Sequence, residues 1–153
     1  MINSRILSKA INEELKPFGF KRKGSTWYLQ KEEVIGVLNV QKSNYDSTFF
    51  LNIGFWLLQL GEVQNPKEEQ CHVRSRASEL WPDGDPSIGV LLCEDGHFSS
   101  EEERINAIQL FIREKIVPLI VNGANLSGLT ELLVKKEGFL IRYAARQQLG
   151  LEA

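Results

Sequence analysis

The sequence is poor in the residues that most often bind metals or carry chemistry. Its 153 residues include two cysteines and two histidines. Cys71-His72 and Cys93-x-x-x-His97 could together supply four zinc ligands, but neighbouring residues on a strand point to opposite faces, and these spacings match no usual zinc pattern. We therefore expect the cysteines to be small buried hydrophobes, and we predict no metal and no cofactor.

Sequence motifs of the common enzyme classes are also missing. No Gly-x-Ser-x-Gly elbow is present for a nucleophilic serine, and Gly19 and Gly24 flank a basic tetrapeptide that lacks the spacing of a phosphate-binding loop. Asp83-Gly84-Asp85 begins like a calcium loop but is not followed by the remaining ligands. The sequence therefore predicts no catalytic residue.

Long apolar runs are absent, and stretches such as 116–121 are far shorter than the roughly 20 residues that cross a bilayer. The first residues show no continuous apolar core, so no signal peptide is expected. Without export, the cysteines would stay reduced. We therefore expect a cytoplasmic protein that makes no membrane contact.

Positive charge is concentrated near the start of the chain. Residues 1–31 contain seven Lys or Arg and two Glu, whereas residues 32–153 contain eleven Lys or Arg and eighteen Asp or Glu. A basic segment can bind phosphate, but this one is divided between a predicted helix and a predicted hairpin, and the acidic remainder would repel phosphate. Nucleic acid is therefore not an expected partner.

Hydrophobic patterning predicts a single α+β domain over residues 1–153. A helical stripe of apolar residues predicts a helix from Asn3 to Lys16, which Pro17 would end, and further helices are predicted after Ser100 and over 140–149. Alternation of side chains between two faces predicts strands over residues 25–31, 34–42 and 48–58, and the short links between them favour antiparallel pairing. Residues 71–76 could add another strand. The expected fold is an antiparallel sheet of about four to five strands, with an N-terminal helix and C-terminal helices packed on one face.

The two faces of the predicted sheet differ in chemistry. One face of the third strand is entirely apolar and should be buried, with Phe49, Leu51, Ile53 and Phe55. The opposite face mixes amides, aromatics and, if 71–76 joins the sheet, arginines: Asn39, Gln41, Phe50, Asn52, Trp56, Arg74 and Arg76. Amides inside strands need hydrogen-bond partners. These residues are therefore either the candidate binding site or a structural network that holds loops or a helix end.

The same segments resemble the family known as domain of unknown function 4304. The similarity is carried by the helix exit Gly19-Phe20, the Asn-x-Gln-x-Ser strand from Asn39, the Phe-x-x-Asn strand ending at Asn52, the arginine strand 73–76 beside Trp81, and Ile116-Val117-Pro118. It extends over most of residues 10–120. The resemblance implies an α+β fold and a bacterial source, and it implies no catalytic residues because the family has none assigned.

These observations favour a non-enzymatic protein-binding module that neutralises a toxin, as an immunity protein does, or regulates a partner. An amide–aromatic–arginine face suits recognition of another protein. The alternative is a small enzyme of unknown reaction with a site around Arg74, Arg76 and His72, and with an acidic residue such as Glu79. The sequence leaves open the partner, any substrate and the oligomeric state.

Overall fold

The computed structural model describes residues 2–93, 98 and 100–151. Within this part of the chain, six antiparallel strands form one sheet in sequence order. The strands are β1 (Lys21–Lys23), β2 (Thr26–Lys31), β3 (Val34–Lys42), β4 (Phe49–Leu57), β5 (Val73–Arg76) and β6 (Leu140–Ile141). Neighbours in the chain are neighbours in the sheet. Short connections join β1 to β2, β2 to β3 and β3 to β4, as antiparallel pairing allows, whereas longer segments separate β4 from β5 and β5 from β6.

In the part of the chain that is described, one helix precedes the first strand, five lie between β5 and β6, and one follows β6. In the described residues they are α1 (Ser4–Leu15), α2 (Ala77–Leu80), α3 (Ile88–Leu91), α4 (Glu101–Phe111), α5 (Val117–Gly123), α6 (Leu126–Lys135) and α7 (Tyr143–Gln148). Short 3₁₀ turns occupy Lys16–Phe18, Leu58–Leu60 and Glu68–Gln70, and a π-helical turn, Ile112–Ile116, joins α4 to α5. None of the helices in these described ranges combines the length and the hydrophobicity that a bilayer crossing requires.

Local sequence signals set the ends of these helices. Asn3 caps α1, because its Oδ1 accepts a hydrogen bond of 2.9 Å from the Ile6 backbone N–H. Ser100 caps α4 in the same way through the Glu103 N–H. Pro118 stands in the first turn of α5, where a missing N–H costs little.

The main core lies between one face of the sheet and the helices. Phe49, Leu51, Ile53 and Phe55 are at most 2% exposed and share one apolar cluster with helix residues such as Ile11, Ile108 and Ile120. The predicted burial of this face of β4 is therefore confirmed, and with it the inward and outward alternation of the strand.

The strands predicted over 25–31, 34–42 and 48–58 are confirmed within a residue or so at each end, and 71–76 contributes β5. The sheet has six strands where about four to five were expected. The helix predicted over residues 140–149 is wrong at its start. Leu140 and Ile141 form β6 by pairing with Arg74 and Val73, and α7 begins at Tyr143. Tertiary pairing therefore overrides the local pattern in this short segment.

An irregular segment, residues 58–72, crosses the outer face of the sheet, and we call it the strap. Its Leu58, Val63 and Cys71 pack against Ile35 and Val37, which are at most 1% exposed. A second, smaller apolar cluster thus covers one half of the outer face. The other half stays open and carries the amides.

Close packing of β3 against α5 makes Gly36 a sensitive position. A Cβ atom at Gly36 would lie 2.4 Å from the Ile120 Cγ2 atom, which is a steric overlap in a region with no room to relax. We expect Gly36→Ala to lower the free energy of unfolding by about 1–3 kcal/mol.

Urea denaturation measures this change, and Gly89→Ala is the matched control. The nearest atom to a Cβ at Gly89 is 3.9 Å away and α3 is helical there, so the control should be neutral or slightly stabilising. Equal stabilities for the two variants would contradict the packing of β3 on α5.

Candidate functional site

A row of polar residues crosses the open half of the outer face from β2 to β5. Thr26 pairs with Asn39, Asn39 with Asn52, and Asn52 with Arg76. Directly paired residues project from the same face of a sheet, so these side chains form a line across four strands. We call Thr26, Asn39, Asn52 and Arg76 the polar ladder.

Hydrogen bonds run along the polar ladder in one direction. Arg76 Nε donates to Asn52 Oδ1 at 3.0 Å, Asn52 Nδ2 donates to Asn39 Oδ1 at 3.2 Å, and Asn39 Nδ2 donates to Thr26 Oγ1 at 3.0 Å. A guanidinium can only donate, so it fixes the orientation of the Asn52 amide, which in turn fixes that of Asn39. Asn52 is 5% exposed, and its hydrogen bonds satisfy a buried amide.

The adjoining row consists of Gln41 and Phe50, which are paired across β3 and β4. Gln41 Oε1 accepts from Asn52 Nδ2 at 2.9 Å and from Arg76 Nη2 at 3.4 Å. The Arg76 guanidinium carbon lies 4.2 Å from the centroid of the Phe50 ring, a cation–π distance. Arg76 is therefore held on one face by an aromatic ring and along one edge by two amide oxygens.

An open groove of about 710 Å³ lies above the polar ladder. The ladder and Gln41 line it together with Tyr28, Arg74 and Ser75, the strap residues Lys67, Glu68 and Glu69, and, towards β6, Glu79, Gly138 and Leu140. Most of these side chains are polar or charged. The groove is therefore a hydrophilic surface with a few apolar contacts at its ends.

Arg74 also lines the groove, but its charge is neutralised. Its Nε and Nη2 each lie 3.2 Å from one carboxylate oxygen of Glu68, and Glu68 is 8% exposed. These hydrogen bonds raise the pKa of Arg74 above its usual value. The ion pair joins the strap to β5.

Trp56 projects from the same face as the ladder but lies at the end covered by the strap. Its Nε1 donates to the Gly61 carbonyl at 2.7 Å, and its ring centroid is 4.3 Å from that of His72. Trp56 is not among the residues that line the groove. Of the predicted binding residues, the structure therefore brings together Asn39, Gln41, Phe50, Asn52 and Arg76, sets Arg74 beside them, and separates Trp56.

The cysteines and His72 do not form a common site in the described part of the chain. The Cys71 thiol donates to the Lys67 carbonyl at 3.6 Å, and its burial, with Glu68 close by, raises its pKa to about 12. His72 Nδ1 accepts from the Leu57 N–H at 3.0 Å, and desolvation, together with the charge of Arg142, lowers the pKa of His72. Cys93 Sγ instead accepts from the Thr48 hydroxyl at 3.7 Å.

The predicted ligand His97 lies outside the described residues. Within the ranges that the structure describes, no group of three or more His, Cys, Asp or Glu side chains could hold a metal ion. The residues of the enzyme alternative are partly separated as well. Arg74, Arg76 and Glu79 line the groove, but His72 does not.

Thr26 and Glu68 are site residues that the sequence reasoning missed. A signal existed for Thr26, because Glu32-Glu33 forms a two-residue connection between β2 and β3 and sets Thr26 opposite Asn39. Glu68 lies in the irregular strap, where no periodicity indicates which way a side chain points.

A family model described as Domain of unknown function (DUF4304) matches residues 11–122. The match includes the whole polar ladder, the strap and β1 to β5. No curated protein and no solved structure matches the chain.

The positions of Asn52 and Gln41 predict different costs of truncation. Asn52→Ala removes the acceptor of Arg76 Nε and the donor to Asn39 and Gln41, so we expect it to cost about 1–3 kcal/mol of unfolding free energy. Gln41 is exposed, and water can replace the hydrogen bonds of its side chain, so Gln41→Ala should stay within about 0.5 kcal/mol of the wild type.

Urea denaturation of the two variants tests this difference. Equal and small changes in the two variants would mean that the polar ladder is not a buried, satisfied network.

Proposed function

The chain belongs to the DUF4304 family, and we propose that it is a non-enzymatic protein-binding module whose binding surface is the groove above the polar ladder. The observation that carries the proposal is the pre-formed hydrogen-bond network of Arg76, Asn52 and Asn39 on the floor of that groove. We further propose a bacterial, cytoplasmic protein that neutralises a toxin or regulates a partner.

Pre-organisation supports binding as the role of this network. Each ladder side chain is held by its neighbours, so little rotamer freedom remains to be lost when a partner docks. Arg76 also rests on Phe50, and arginine and aromatic side chains carry a large share of the binding energy in protein interfaces. A surface of this kind can contribute affinity without rearranging.

The shape and chemistry of the groove favour a protein over a small molecule. Small-molecule sites enclose most of the ligand and are lined mainly by apolar groups, whereas this groove is open and mostly polar. Polar, partly hydrated surfaces with a few aromatic and arginine contacts are typical of interfaces between separately folded proteins.

Histidine and cysteine, a frequent general base and a frequent nucleophile, are absent from the described residues that line the groove, and the carboxylate of Glu68 is held by Arg74. Glu69 and Glu79 are the remaining carboxylates of the groove, so the enzyme alternative would have to use one of them as its base.

Site-specific photo-cross-linking in the organism that encodes the chain tests the proposal. A benzophenone amino acid at Leu140, which lines the groove and is 66% exposed, should produce one discrete adduct with another protein. The matched control is the same amino acid at Val134, which is 72% exposed on α6 and does not line the groove. The control should give no such adduct.

Arg76→Gln in the Leu140 background should reduce the adduct, because the partner would lose the pre-formed arginine. The adduct is identified by mass spectrometry, and the purified partner should bind the wild-type chain with a defined stoichiometry. Identical adducts from both positions, or none from Leu140, would contradict a protein-binding groove.

A further inference from the structure

We infer that the groove recognises an acidic segment of its partner, and that Arg76 receives a Glu or Asp carboxylate of that segment. The inference rests on the proposed function and specifies the chemistry of the bound segment. It follows from which hydrogen-bonding groups the polar ladder consumes and which it leaves available.

Each amide oxygen of the site already accepts at least one hydrogen bond. Asn52 Oδ1 accepts from Arg76, Asn39 Oδ1 accepts from Asn52, and Gln41 Oε1 accepts from both Asn52 and Arg76. Thr26 Oγ1 likewise accepts from Asn39. The one-way orientation of the ladder therefore engages one acceptor oxygen at each of its steps.

Three hydrogen-bond donors of the site are left unused. Gln41 Nε2, Arg76 Nη1 and the Thr26 hydroxyl proton make no hydrogen bond to any residue that the structure describes, and all three residues line the groove. A surface that presents donors is complementary to a group that only accepts, and an ionised carboxylate is the protein side chain of that type.

The contacts of Arg74 and Arg76 show which of the two arginines can bind a carboxylate of the partner. On Arg74, the nitrogens Nε and Nη2 hold the two oxygens of the Glu68 carboxylate. On Arg76, the same two nitrogens hold two neutral amide oxygens, from Asn52 and Gln41. Arg76 has no carboxylate within 4.0 Å among the described residues, so no ion pair neutralises its charge.

A guanidinium with free N–H groups forms short, charge-assisted hydrogen bonds to carboxylates. Phe50 lies against one face of Arg76 and helps to keep the guanidinium in place. The partner carboxylate would therefore meet a fixed Arg76 Nη1, with Gln41 Nε2 beside it as a second donor.

The acidic residues of the groove limit where the partner carboxylate can lie. Glu69 belongs to the strap and Glu79 to α2, so both lie away from the Thr26 end of the ladder. Lys23 pairs with Thr26 and extends the row on that side with a further positive charge. Because α2 begins directly after Arg76, Glu79 lies on the Arg76 side of the groove and repels a carboxylate there, whereas Lys23 attracts one from the Thr26 side. The inference therefore rests on the direct contacts to Arg76 and Gln41 and not on the net charge of the groove.

A peptide titration followed by NMR tests the inference. The probes are acetyl-Glu-Glu-Glu-Glu-amide and acetyl-Gln-Gln-Gln-Gln-amide, and the signals are the side-chain amides of Asn52 and Gln41 and the Nε–H of Arg76. The glutamate peptide should shift all three signals, and the glutamine peptide should not. Arg76→Gln should weaken binding of the glutamate peptide by about tenfold or more. The control is Arg113→Gln, which removes the same charge from a residue that does not line the groove and should weaken binding by less than about threefold.

The backbone amide spectrum of each variant checks its fold. If Arg76→Gln does not fold, Phe50→Leu replaces it, because loss of the ring frees the guanidinium and should also weaken the glutamate peptide. Equal shifts from the two peptides, shifts confined to residues outside the groove, or no shift at millimolar peptide would overturn the carboxylate inference.

The two experiments fail separately. A cross-linked protein with no response to the glutamate peptide leaves the protein-binding proposal standing and removes the inference. If the glutamate peptide binds in a way that requires Arg76 but no protein is cross-linked, the carboxylate site is supported and the protein-binding proposal is contradicted.

Discussion

The hydrogen bond from Arg76 Nε to Asn52 Oδ1 determines the chemistry of the open half of the sheet. Because Arg76 can only donate, Asn52 must turn its oxygen towards it and its nitrogen towards Asn39 and Gln41. The reverse orientation would set two donors against each other at Asn52, which is 5% exposed. Which groups the groove offers to a partner therefore follows from one charged residue.

The polar ladder in turn depends on the core behind it. A slip of one residue in β4 would move Asn52 to the inner face and Phe49, Leu51 and Ile53 to the outer one, so burial of the apolar set fixes the register of the amides. The strap adds the second constraint. It packs so closely that a Cβ at Gly54 would lie 2.8 Å from Cys71 Sγ, and it covers the other half of the face while leaving the ladder open.

Much of this arrangement could be predicted from sequence because it is periodic. Alternation in β3 and β4 places Asn39, Gln41 and Asn52 on one face, and the short β2–β3 connection fixes which residues are opposite each other. The difference between Arg74 and Arg76 could not be predicted, because it depends on where Glu68 points from an irregular strap. Formation of β6 is a long-range effect, since Leu140 and Ile141 pair with a strand distant in the chain. Trp56 is held away from the groove by the strap that directly follows β4, whose irregular path no periodicity indicates.

The claim that the polar ladder acts as one coupled network is tested most directly by a double-mutant cycle between Arg76 and Asn39. These residues share no hydrogen bond and are linked through Asn52. Unfolding free energies of the wild type, Arg76→Ala, Asn39→Ala and the double variant should show a coupling above about 0.5 kcal/mol, because each truncation disturbs the amide on which the other depends. Effects that add to within about 0.3 kcal/mol would contradict the network.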